Sequence, residues 1–213
     1  MLTLTLLCSV GLARTTAAEP AAVTADAGWI LKALAQPAPM RTDFVELRGS
    51  PLLKQPLRIE GQYQRPDAAT LVRAVSKPYV ETTTLRDGQA SIVRPGKPPR
   101  TFALSRVPEL AQLQASFGAL LSGDRTQLEK QYRLAPQGTR EHWTLVLTPL
   151  DAKLKGTLRD ITLHGRDAEL RCIETRPAKG DLQRTLLGTA ATSATPALTA
   201  EALANLCRTV GAR

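Results

Sequence analysis

Apolar and polar residues alternate along residues 57–63 with the two-residue period of a half-buried strand. Leu57, Ile59, Gly61 and Tyr63 fall on one side, and Arg58, Glu60 and Gln62 on the other. Arg65-Pro66-Asp67 breaks the run with turn residues, Leu71 to Val75 resumes it, Lys77-Pro78 interrupts again, and Tyr79 to Leu85 gives a third strand. Asp87-Gly88 is a strong hairpin signal joining 79–86 to 89–94, and Thr101 to Leu104 extends the series. A preceding strand, Arg41 to Arg48, is anchored by Phe44.

The period changes twice. Residues 24–36 carry Trp29, Ile30, Ala33 and Leu34 on one helical face, with Thr24 or Asp26 as cap and Pro37 as terminator. Pro108-Glu109 opens a second helix, on which Leu110, Leu113, Phe117, Leu120 and Leu121 form one stripe. Asp124 caps a short helix through Lys130. Strands then return: 131–135 with 141–148, 157–164 with 169–175, and 181–187. Residues 189–198, rich in Ala and Thr, read as a linker before a short C-terminal helix, 199–208, capped by Thr199. The pattern is α+β: one curved, half-open antiparallel β-barrel covered by helices, with 107–121 as the natural cover.

Composition narrows the chemistry. Hydrophobic residues make up 43% and aromatics only 4%, so the core is aliphatic and suits an alkyl ligand better than a nucleobase. The net charge is +9, but Lys and Arg are scattered singly, which argues against nucleic acid as a partner. Leu2 to Leu12 is a short apolar run followed by Thr16-Ala17-Ala18, as in a secretory signal peptide (1–18) that leaves one domain, 19–213, outside the cytoplasm. There, Cys172 and Cys207 either pair or remain buried thiols. The two histidines, His142 and His164, lie in strands beside turns, with no nucleophile elbow, oxyanion loop or metal-ligand spacing near them. The reading is therefore non-enzymatic, with no catalytic residue, metal or cofactor assigned.

An ordered series of short motifs carries a resemblance. Phe44 precedes Pro56-Leu57, Gly61, Tyr63 and Pro66-Asp67. Pro78, Glu81 and Asp87-Gly88 follow, then Leu121-Ser122-Gly123-Asp124, Trp143 to Pro149, and Ile161 to Gly165. The chain resembles the periplasmic lipoprotein-carrier family of the LolA/LolB type, in its LolA-related branch, over about residues 40–188. The resemblance implies a periplasmic monomer that encloses acyl chains of a lipoprotein or other envelope lipid. It would take them from an inner-membrane export complex to an outer-membrane acceptor. The cavity residues would be Leu57, Ile59, Tyr63, Phe102, Leu110, Leu113, Phe117, Leu121, Trp143, Leu145, Leu147, Ile161 and Leu163. Arg65, beside Pro66, would latch the lid. The alternative is a sensor or interaction module of the same fold that binds a partner protein and carries no cargo.

Overall fold

The computed structural model describes residues 23–49, 56–106, 120, 123–196 and 198–208. The strands are β1 (Met40–Arg48), β2 (Leu57–Arg65), β3 (Leu71–Lys77), β4 (Glu81–Arg86), β5 (Gln89–Val93), β6 (Arg100–Ala103), β7 (Tyr132–Gly138), β8 (Trp143–Pro149), β9 (Leu158–Arg166), β10 (Glu169–Pro177) and β11 (Gln183–Leu187). The helices are α1 (Ala27–Leu34), α2 (Arg125–Gln131), α3 (Ala152–Lys155), α4 (Gly188–Ser193) and α5 (Ala200–Arg208).

All eleven strands among the described residues join one antiparallel sheet in the order β6-β5-β4-β3-β2-β1-β11-β10-β9-β8-β7. The chain starts at the centre, meanders out to β6, crosses to the opposite edge at β7, and returns to pair β11 with β1. The edges β6 and β7 do not pair, so the curved barrel is half-open. Turn chemistry sets the hairpins: Asp87 and Gly88 both have positive φ, as a two-residue primed turn requires.

Register assigns the two faces. Phe44 lies opposite Gly61 and Leu187, and Ile59 opposite Glu46. This inner face packs against α1 and α2 through Ile30, Leu31, Leu34 and Leu128, with Leu145, Leu163 and Ile173 in the same core. Asp26 and Asp124 accept from the backbone N–H groups of Trp29 and Gln127 at 2.9 and 3.0 Å, capping the two helices. The outer face carries Val45, Leu47, Cys172 and Leu186 under α4 and α5. A smaller cluster of Leu85, Ala90 and Leu104, with Leu71 and Phe102, covers the inner side of β3–β6. Cys172 and Cys207 form a disulfide that ties β10 to α5.

The expected linker, 189–198, is corrected in its first half. Residues Gly188–Ser193 form α4, with Ala190 and Ala191 buried on the sheet. Small side chains let this helix approach closely. Glu169 supplies its missing cap from β10, accepting from both the backbone N–H and the hydroxyl of Thr189 at 2.9 Å. Arg58 reaches the carbonyls of Ala194 and Thr195 and fixes the exit. Thr199 caps α5 through the Ala202 N–H at 3.1 Å.

Candidate functional site

A cavity of about 230 Å³ opens on the inner face, where the end of α1 passes over β1, β2 and β11. Its apolar wall comprises Leu34, Met40, Leu71, Leu120, Leu170 and Leu187. Tyr63, Thr42, Arg41, Arg65 and Glu169 add polar groups. Arg41 is exposed and Arg65 half-buried, so cationic groups stand where the cavity meets solvent. Arg65 Nη1 donates to the carbonyl of Gln36 at 3.0 Å, just beyond the end of α1. That carbonyl follows a helix terminus, where acceptors lack intrahelical partners.

Deeper along the inner face lies a charged cluster. Glu46 is 5% exposed and accepts from Arg48 at 2.5 Å on one oxygen and from Arg73 at 2.8 Å on the other. The Arg73 guanidinium sits 4.9 Å from the centre of the Phe44 ring, which in turn packs 4.7 Å from the Tyr63 ring. Desolvation pulls the Arg73 pKa down, and the neighbouring Tyr63 and Glu46 outweigh it to leave the guanidinium above its usual value. Burial pushes the Tyr63 phenol up, against the pull of Arg73. The cluster is thus a paired, hydrogen-bonded set beside Phe44 and Tyr63, of which Tyr63 also lines the cavity.

Residues 17–210 match a family described as "Outer membrane lipoprotein carrier protein LolA-like". The chain belongs to this LolA-like family. No curated protein matches the sequence. Among solved structures it is similar to a LolA superfamily protein from Nitrosomonas europaea, at 12% identity and TM-score 0.38, over 78% of this chain and 91% of that one. It is also similar to a chain of the MucA/MucB complex of Pseudomonas aeruginosa, at 19% identity and TM-score 0.39, over 76% of this chain and 56% of that one. The membership rests on the family match alone.

The LolA-like chain distributes the sequence-derived site residues over three places. Tyr63 lines the cavity. Leu57 and Ile59 share its face, and Trp143, Leu145, Leu147, Ile161 and Leu163 fill the core further along that face. Trp143 also donates its indole N–H to the Asp167 carbonyl at 2.9 Å and packs on Gly165. Phe102 belongs to the separate cluster over β3–β6. Leu110, Leu113, Phe117 and Leu121 lie outside the described residues; Leu120, from the same stripe, is helical, 5% exposed and part of the cavity wall.

Sequence reasoning missed α1 as a cover and missed Met40, Leu170 and Leu187 as cavity lining. The apolar stripe of α1 was a usable signal; the other three depend on long-range register. His164, Glu174 and Cys207 bring donor atoms within 4.8 Å of one another. Cys207 is oxidised in the disulfide, and Glu174 is already held by Arg184 at 2.6 Å, so this trio does not offer a free ligand set. No described helix is long and apolar enough to cross a membrane.

Proposed function

We infer that this LolA-like protein is a periplasmic carrier. It binds acyl chains of a lipoprotein or another envelope lipid in the inner-face cavity and delivers them towards the outer membrane. The supporting observation is the aliphatic pocket beneath α1 and Leu120, with Arg41 and Arg65 beside its opening. Each methylene taken from water contributes about 0.8 kcal/mol, so a chain of ordinary length has ample drive to enter. Release needs movement of the cover or a competing acceptor, and no bond chemistry. An inner-membrane export complex as donor and an outer-membrane protein as acceptor complete this reading, with the carrier acting as a monomer.

At about 230 Å³ the cavity is below the range of about 300–1,000 Å³ usual for small-molecule pockets. It holds part of an acyl chain as it stands and must widen for more, by displacement of α1 or Leu120. The same small volume favours a second reading, an interaction module of the same fold that binds a partner protein without cargo. Native mass spectrometry of the purified mature protein separates them. A carrier retains or takes up a stoichiometric acyl lipid; a module without cargo stays at its apoprotein mass after incubation with diacyl lipid and lipopeptide.

A further inference from the structure

A second pocket, of about 290 Å³, lies at the other side of the sheet, between the β7–β10 end and α5. Among the described residues its lining includes Arg171, Arg208, His142, His164 and Thr144, and no Asp or Glu. A bulge in the β9–β10 pairing between Leu170 and Cys172 places Arg171 there. The disulfide places the opposite wall, because Cys207 and Arg208 stand at the end of α5.

The chemistry of this lining is unbalanced. The Arg171 side chain is 13% exposed, its nearest carboxylate, Glu169, stands 3.8 Å away, and its buried Nε has no hydrogen-bond partner among the described residues. Buried polar atoms are nearly always paired, so the orphaned nitrogen leaves the Arg171 guanidinium under-satisfied beside the pocket. The described carboxylates beside Arg171 and Arg208 are already engaged: Glu169 by Thr189, and Glu174 by Arg184 and His164. Arg208 approaches Glu174 only to 3.8 Å. Burial and the nearby Arg166 pull the Arg171 pKa down, which an added anion would reverse. Guanidinium groups donate and cannot accept, and the Thr144 hydroxyl adds a further donor. At about 290 Å³ the pocket has room for more than a bare phosphate.

We propose that this pocket binds a phosphoryl group, held by Arg171 and Arg208, with space for a substituent on the phosphate. Two planar forks suit a tetrahedral, multiply charged oxyanion better than a single carboxylate. The site is separate from the inner-face cavity and does not depend on what that cavity carries. Its source is either a soluble phosphoester or the headgroup of an anionic phospholipid.

Titration calorimetry with inorganic phosphate and with glycerol phosphate, and flotation with phosphatidylglycerol against phosphatidylcholine vesicles, test the site on the disulfide-intact chain. Saturable binding of the soluble probes, weakened at least tenfold by Arg171→Gln and several-fold by Arg208→Gln, supports a phosphoester site. Flotation with phosphatidylglycerol alone, lost in Arg171→Gln, supports a headgroup site. The exposed Arg166→Gln serves as control in both arms. On the unaltered protein, the amide resonance of Thr144 and the indole resonance of Trp143 shift with the bound probe, which keeps the test independent of variant folding. Absence of saturable binding to every probe, or binding indifferent to Arg171→Gln, overturns the proposal.

Discussion

Arg65 reaches across from the end of β2 to donate to the Gln36 carbonyl at 3.0 Å, joining the cavity's floor to the end of its helical cover. Arg65, which the family resemblance offers as a latch for the 107–121 lid, here bonds the segment that follows α1. Replacing it frees one end of α1 without touching the core. Arg65→Leu is expected to speed release of a bound fluorescent fatty acid several-fold in stopped-flow measurements. Unfolding free energy should change by no more than about 1 kcal/mol, the scale of one hydrogen bond. Unchanged release would remove Arg65 from the gating of this cavity.

Glu46 between Arg48 and Arg73 gives a second test. Glu46→Leu leaves Arg73 buried against Phe44 with its main counter-charge gone, and should cost on the order of 3 kcal/mol in urea denaturation. Arg73→Leu leaves Glu46 with the half-exposed Arg48 and should cost less. The double variant should be destabilised by at least about 1 kcal/mol less than the sum of the singles. Strict additivity would show that the two residues do not act as a pair.

Gly165 is fixed by its neighbour. A Cβ there would fall on the Trp143 indole ring, with no flexible end to yield. Gly165→Ala should destabilise by about 1–3 kcal/mol. It should lower the thermal midpoint by roughly 2–4 °C per kcal/mol and alter the near-ultraviolet dichroism of Trp143. Gly96→Ala, at a turn with positive φ and open space, tests backbone strain alone and should leave that spectrum intact.

The signals that specify this fold are not equally readable in the sequence. Alternation at Leu57, Ile59, Gly61 and Tyr63 and the Asp87-Gly88 turn are local, and the sheet follows them closely. The caps Asp26, Asp124 and Thr199 are local too. The stretch from Thr189 reads as a linker because its Ala and Thr residues carry no apolar stripe. Its helix depends on Glu169 and Arg58, both distant in sequence. The cavity was legible only in part for the same reason. Tyr63 could be named from its strand, whereas Leu170 and Leu187 meet it through the β1–β11–β10 register, which no local pattern encodes.

Glu174 sets a pH dependence on the outer face. Hydrogen bonding to His164, then to Arg184, outweighs burial and lowers its pKa from 4.5 to about 2. A lowered carboxylate contributes stability above the unfolded value and loses it as protons bind the folded state. Stability should therefore fall progressively from about pH 5 towards pH 2. Glu174→Gln should be less stable at pH 7 and should show a shallower decline across that window. Parallel curves for the two proteins would place the acid sensitivity elsewhere.

The carrier account stands most directly on where an acyl chain goes. Photo-crosslinking with a diazirine-bearing fatty acid, followed by peptide mapping, locates it. Labels should concentrate at Met40, Leu71, Leu170 and Leu187 and should fall sharply in Leu170→Trp, which fills the cavity. Labelling confined to the outer surface, or labelling that Leu170→Trp leaves unchanged, would contradict a carrier role for this cavity.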